Sequence, residues 1–204
     1  MSFSQKQSFT KHITMKVETS SMEGMLVLTP DIHSDARGFF METYHDERYQ
    51  KCGVQEVFVQ DNHSHSVQNV IRGLKFQYSA PTAKLIRVAY GTIFAVGVDI
   101  RPSSSTFGKW EGIELSSENK RQLYLPFGFA FGFCAISKEA GVLYKLSAVH
   151  DEQGSGTIRW DDSDIGIVWP TTTPIVSPAD AAAPTLKEMI AGGTIERMRP
   201  ASSE

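Results

Sequence analysis

The sequence predicts a mainly β protein, built as a sandwich or barrel, with a short helical segment near its C-terminus. Three observations carry that expectation. Short apolar runs recur at roughly ten-residue spacing. Turn-forming residues separate them. Helical signals are few.

Taken in order, residues 1–22 are polar and rich in Ser, Thr and Lys, and are expected as a loose leader. A single domain is expected over 23–190, with a tail over 191–204. Strands are expected at Met25–Leu28, Glu56–Gln60, Asn69–Phe76, Leu85–Ala89, Ile93–Ile100, Trp110–Leu115, Gln122–Pro126, Gly141–Leu146 and Gly166–Trp169. The clearest is Ile93–Ile100, apolar on both faces and bounded by Gly91 and Pro102. Helices are expected at Asp46–Cys52 and at Ser177–Ala191. In the second, Ser177 is placed to cap the N-terminus and Asp180 falls at the third helical position.

A chain of 204 residues is long enough for one domain with a substantial core. Its 41% hydrophobic and 21% charged residues are those of an ordinary globular protein. The net charge of −3 comes with dispersed lysines and arginines, so no basic stripe points to nucleic acid or to a membrane surface. The apolar runs are strand-length, far short of a helical span. Lys6, Lys11 and Lys16 precede no apolar segment, so no signal peptide is expected. Cys52 and Cys134 lie far apart and in no Cys-x-x-Cys pair, which argues against a disulfide framework or zinc ribbon and makes a reducing cytoplasm the default.

A barrel of this size holds small ligands through inward-facing side chains. Polar residues inside strand-like runs are therefore the candidates for chemistry. Gln60, Asp61, Asn62, His63 and Ser64 follow Val57-Phe58-Val59. Arg72, Lys75 and Gln77 interleave with Ile71, Leu74 and Phe76, and Lys84 opens the run Leu85–Ala89. Tyr144 and Lys145 follow Val142-Leu143, and Asp161 and Asp162 follow Trp160. Each alone fits a solvent-facing position. Together they supply cations for phosphates, amides for hydroxyls, and a phenol with a carboxylate for proton transfer.

Ordered motifs along the chain resemble those of the dTDP-4-dehydrorhamnose (dTDP-4-keto-6-deoxyglucose) 3,5-epimerase family. Asp35-Ala36-Arg37-Gly38-Phe39-Phe40-Met41-Glu42 is similar to its D-x-R-G-x-F-x-E, and Phe58–Ser64 to its F-V-Q-D-N-x-S. Arg72–Gln77 resembles R-G-L-H-x-Q, Val98–Arg101 resembles V-D-[IL]-R, and Ser105–Gly108 resembles S-x-T-[FY]-G. Pro126–Phe133 resembles P-x-G-F-A-H-G-F. Tyr144-Lys145, Trp160-Asp161-Asp162, Trp169-Pro170 and Ser177–Asp180 complete the series, from about Gly24 to about Leu186.

The resemblance implies a cupin-type double-stranded β-helix (jelly-roll) barrel, and a homodimer in which N-terminal strand residues reach the neighbouring site. It implies an isomerase that needs no metal or cofactor and acts at C3 and C5 of a 4-keto-6-deoxy sugar on a nucleoside diphosphate, in deoxysugar biosynthesis. In such an enzyme a His–Asp pair removes a proton, a Lys steadies the enolate oxygen and a Tyr returns a proton from the other face. Carried across, Asp162 matches the Asp, Lys84 the Lys and Tyr144 the Tyr. Arg37, Glu42, Gln60, Asn62 and Arg72 match residues around the nucleotide.

This sequence departs from the pattern at three places. Lys75 stands where the base His belongs, Phe131 where a second His belongs, and Val149 and His150 where aromatic residues would pack on the nucleobase. Lys75 is the substitute base in an enzyme; in a non-catalytic nucleotide-sugar-binding paralogue it is half of an ion pair with Asp162. Nearby Lys84 and Arg72 would favour a neutral Lys75, and Asp162 would oppose it. A metal-dependent cupin site needs about three His and a carboxylate. His63-Ser64-His65 has no Glu within the following few residues, and Phe131 takes the second motif's ligand position. Arg72 and Lys75 fall on opposite faces of a regular strand, which conflicts with a shared cavity; a bulge or bend near Gly73 is one way out, with Arg72 reaching the cavity rim.

Overall fold

The computed structural model describes residues 15–198. Along the chain run β1 (Met15–Thr19), β2 (Leu26–Pro30), β3 (Ile32–Asp35), β4 (Gly38–Met41), α1 (Asp46–Lys51), β5 (Gln60–Val67), β6 (Val70–Gln77) and β7 (Lys84–Tyr90). There follow β8 (Thr92–Asp99), β9 (Trp110–Ser116), β10 (Gln122–Leu125), β11 (Phe129–Ala135), β12 (Glu139–Leu146), β13 (Ser155–Ile158) and β14 (Ile175–Val176). Helices α2 (Pro178–Ala181) and α3 (Leu186–Ala191) and a 3-10 turn (Ile195–Arg197) close the described chain.

One sheet has the order β1-β2-β10-β7-β12-β5, and a second has the order β13-β6-β11-β8-β9 with β14 added parallel to β6. The two face each other as in a jelly roll, without one continuous ring of strand pairing. Between them pack Ile86, Val88, Leu123 and Leu125 from the first sheet against Ile93, Ala95, Leu115 and Phe129 from the second. Each such side chain contributes on the order of 1.5–3 kcal/mol when fully buried. The outer face of the second sheet, with Leu74, Val96 and Val98, is covered by Ile165, Leu186 and Met189. The outer face of the first sheet, with Leu28, Leu85 and Tyr124, is covered by Tyr49 of α1 and Val54.

Several expectations need correction. Met15–Thr19, placed in the loose leader, is a strand whose five residues pair with Leu26–Pro30. The rest of that leader, residues 1–14, and the end of the tail, 199–204, lie outside the described residues. The strand expected at Glu56–Gln60 begins only at Gln60 and continues to Val67. Its alternation carries almost no apolar signal, because Asn62 and Ser64 face the cavity while Asp61, His63 and His65 are exposed. Gly166–Trp169 is not a strand: Ile167 and Trp169 pack on the second sheet's outer face, and Trp169 Nε1 donates to Trp160 O at 2.8 Å. The single helix expected over Ser177–Ala191 is two. Pro184 disfavours the helical conformation of Ala183 and ends the first. Thr185 and Glu188 then start the second with a reciprocal capping box.

A bulge near Gly73, one of the two irregularities expected there, is present. Phe131 pairs with Lys75 and Phe133 with Arg72, so three residue steps on β6 span two on β11. Leu74 and Phe76 enter the outer core, while Arg72 and Lys75 both turn inward. Gly73 sits within the bulge, where a Cβ would lie 3.1 Å from Asp180 Cγ. A larger residue would push that carboxylate aside.

Candidate active site

At one end of the space between the sheets, apolar packing gives way to two adjoining cavities of about 510 and 450 Å³. Lys75, Lys84 and Tyr144 line both and so mark their junction. Period-2 alternation explains the placement. On β7, Lys84 shares the inward face of Ile86 and Val88; on β12, Tyr144 shares the inward face of Val142. Tyr144 pairs with Ile86, and Lys84 pairs with Leu146, so Lys84 and Tyr144 are diagonal neighbours on one face.

The larger cavity is the more polar. Gln60, Asn62, Gln77, His150 and Glu152 line it. Gln60 Nε2 donates to Asn62 Oδ1 at 3.1 Å, and Gln60 Oε1 accepts from His150 N at 2.8 Å. Gln77 Oε1 accepts from Asp151 N at 3.0 Å, while its Nε2 donates to Thr82 Oγ1 at 3.0 Å. Two amides thus hold the rim loop that carries Val149 and His150. Val149 points outward, 69% exposed, so no aromatic face stands at that position.

The second cavity has an apolar wall of Val70, Ile71, Phe131, Phe133, Ile175 and Val176. Phe131 is buried, with its ring 6.0 Å from that of Phe133. Arg72 lies on the opposite, charged side and donates to Ser66 Oγ at 3.0 Å and His65 O at 2.9 Å. Ser64 also lines this cavity, and its Oγ is buried without a hydrogen-bond partner.

Lys75 does not meet Asp162. Its Nζ lies 2.5 Å from Asp180 Oδ1 and 3.0 Å from Thr157 Oγ1. Asp162 sits on the other side of the sheet, where it accepts from Leu186 N at 2.7 Å and Asp164 N at 2.9 Å and so fixes the start of α3. The carboxylate beside Lys75 is therefore Asp180, which also accepts from Gly73 N at 3.1 Å. Burial pushes the Asp180 carboxyl up, but the Lys75 ammonium and the Gly73 N–H outweigh it and hold the group below the usual carboxylate range. Ser177 caps Asp180 N at 3.1 Å and so fixes the start of α2, from which the carboxylate faces β6.

Lys84 is buried and has no hydrogen-bond or ion-pair partner among the described residues. Burial lowers its pKa to about 8. Burial raises the Tyr144 phenol, and the Arg72 guanidinium pulls it partly back. Two expected binding residues are outside both cavities. Arg37 sits on the exposed β3–β4 hairpin and pairs with Asp35 at 2.6 Å. Glu42 pairs with Arg48, and its second carboxylate oxygen is buried without a partner. Among the described residues no three His, Cys, Asp or Glu stand together in a way that would hold a metal ion.

A jelly roll whose open end presents cations, amides and a phenol around a divided cavity defines a cupin-type small-ligand enzyme fold. The family profile described as dTDP-4-dehydrorhamnose 3,5-epimerase matches residues 19–188, and the chain belongs to that family. It is 45% identical over 179 residues to the dTDP-4-dehydrorhamnose 3,5-epimerase of Salmonella typhimurium, covering 86% of this chain and 98% of that one. It superposes on the dTDP-6-deoxy-D-glucose-3,5-epimerase RmlC of Legionella pneumophila in complex with dTDP-4-keto-L-rhamnose. There the TM-score is 0.86 at 37% identity, with 94% of this chain and 100% of that one covered. ChmJ, a 3'-monoepimerase from Streptomyces bikiniensis in complex with dTDP-quinovose, is similar at a TM-score of 0.80 and 29% identity, over 86% of this chain and 90% of that one.

Proposed function

We propose that this chain is a nucleotide-sugar epimerase, acting at C3, C5 or both of a dTDP-linked 4-keto-6-deoxy sugar in deoxysugar biosynthesis. The observation that carries this reading is the convergence of Lys75, Lys84 and Tyr144 at the junction of the two cavities, with Arg72 beside them in the second. The C4 ketone acidifies the neighbouring C–H bonds. Loss of a proton there places charge on the ketone oxygen, where positioned cations stabilise it. Inversion then needs an acid on the opposite ring face. Tyr144 suits that task, because burial keeps its O–H protonated well into the alkaline range. Arg72 has the fork that matches phosphate oxygens, and Gln60 and Asn62 offer amide groups to the nucleoside.

The test is proton exchange. Incubation with a dTDP-linked 4-keto-6-deoxy sugar in heavy water is expected to place deuterium at C3 or C5, read by NMR. Tight binding without any exchange would instead establish a nucleotide-sugar-binding paralogue, the reading that the Lys75–Asp180 ion pair favours.

The working unit in this reading is a homodimer. The β3–β4 hairpin pairs with no other strand of its own chain among the described residues, and it carries Phe39 and Phe40 at 55% and 66% exposure. Unpaired apolar ribbon of this kind calls for cover. A second copy provides it by two-fold pairing, and Arg37 then reaches the neighbour's cavity. Sedimentation equilibrium at micromolar concentration is expected to give twice the 22.6 kDa chain mass; a monomer there would count against the arrangement. No helix among the described residues is long and apolar enough to cross a membrane, and Cys52 and Cys134 are free thiols, which suits the reducing cytoplasm as its place of work.

A further inference from the structure

We infer that Lys84, and not Lys75, takes the proton from the sugar carbon, while Lys75 serves as a fixed positive charge. This rests on the epimerase reading above. A base needs a lone pair, and a lysine offers one only as the neutral amine. Lys75 is bound to a carboxylate at 2.5 Å and a hydroxyl at 3.0 Å, both accepting from its ammonium. Giving up its proton would break an ion pair whose acid partner, Asp180, is buried. Lys84 stands in the reverse situation. Its strand neighbours are Leu125 and Leu146, its side chain is shielded from bulk water, and no carboxylate among the described residues offsets that loss. Burial alone then brings its amine within reach of neutral pH, at about 8.

The charged groups that share the junction do not offset that burial. Arg72 and Lys75 on β6 are cations, and the Asp180 charge on α2 is engaged by Lys75. Tyr144 on β12 is neutral, and His150 and Glu152 lie in the rim loop. In the step itself, the C–H bond beside the ketone breaks and its proton passes to Lys84 Nζ. The electron pair enters the C=C bond of the enolate, and the oxygen's charge faces Lys75 and Arg72. The sugar ring stands edge-on to the sheet, between the diagonal neighbours Lys84 and Tyr144. Tyr144 O–H then protonates the carbon from the face away from Lys84, and proton transfer from the Lys84 ammonium through solvent resets the pair.

The experiment follows deuterium exchange at C3 and C5 against pH in the wild type, Lys84→Arg and Lys75→Gln, with dTDP binding as the measure of an intact site. Wild-type exchange is expected to rise with pH through a limb centred near 8. Lys84→Arg keeps the charge but not the titration, so exchange should fall by about 10²–10⁴-fold and lose that limb while dTDP still binds. Lys75→Gln should slow exchange by losing a cation yet keep the limb near 8. Should Lys84→Arg retain the limb, or Lys75→Gln abolish it, the assignment is overturned while the epimerase reading stands. A wild type that binds dTDP and exchanges at neither carbon overturns the epimerase reading and this inference together.

Discussion

Tyr144→Phe is expected to lower the rate of net inversion by about 10²–10⁴-fold while leaving deuterium exchange at the same carbon largely in place. The two readouts separate because the two ring faces are served by different groups. On the lysine face, a proton taken by an amine exchanges with heavy water and returns as deuterium to the carbon it left. That cycle needs no phenol. Inversion needs a proton from the opposite face, and Tyr144 is the acid on β12 aimed into the cavity junction. The variant is a clean one. Phe keeps the ring that packs against the buried cluster between the sheets, and the Tyr144 hydroxyl has no hydrogen-bond partner within the described chain. Stability should therefore change by less than about 1 kcal/mol. Parallel NMR measurement of product and of deuterium content checks the prediction. Wild-type inversion in the variant would mean that the far-face proton comes from water or another side chain.

Much of this architecture was legible in the sequence, and the exceptions have physical causes. The buried strand β8 announced itself through a continuous apolar run, since both its faces are covered. Strand β5 did not, because one of its faces lines a polar cavity and the other meets solvent, so hydropathy has no contrast to report. The hairpin β3–β4 was hidden for a related reason: it buries almost nothing in its own chain. The convergence of Arg72, Lys75, Lys84 and Tyr144 was foreseeable from residue type and strand phase once a bulge at Gly73 was granted. The partner of Lys75 was not. Asp162 and Asp180 are both carboxylates in the C-terminal part of the chain, and only the fold reveals that one lies behind the second sheet while the other reaches through beside Gly73. Nor does sequence alone separate two lysines by their surroundings. Lys75 and Lys84 differ in having an acid neighbour, and that difference exists only in three dimensions.

Some motifs that resemble the family's turn out to build the scaffold rather than touch the cavities, and they yield the largest expected effect on stability. Asp99→Ala should destabilise the protein by about 3–5 kcal/mol, a drop of roughly 6–20 °C in melting temperature for a chain of this length. Asp99 is fully buried. Its Oδ1 accepts from Arg101 N at 3.0 Å and Nε at 2.9 Å; its Oδ2 accepts from Arg101 Nη2 at 2.7 Å and from Ser104 Oγ and Thr106 Oγ1 at 2.6 Å each. One carboxylate thus ties the end of β8 to the 101–108 turn. Arg101 in turn lies 4.8 Å over the Phe129 ring. Its stem passes Gly128, where φ is +91° and an added Cβ would lie 2.1 Å from Arg101 Cγ. Removing the carboxylate leaves the half-buried guanidinium and two hydroxyls without their acceptor, and that penalty exceeds the value of any single bond. The pH dependence has a definite sign. Burial pushes the Asp99 carboxyl up, but the donors from Arg101, Ser104 and Thr106 outweigh it, and its folded pKa is depressed. The stabilisation is therefore present above the unfolded value near 3.9 and is lost as pH falls through the folded value. Urea denaturation should show the full gap between wild type and Asp99→Ala at pH 7, narrowing only in strong acid. A variant that melts with the wild type at pH 7 would show that the turn holds by packing alone.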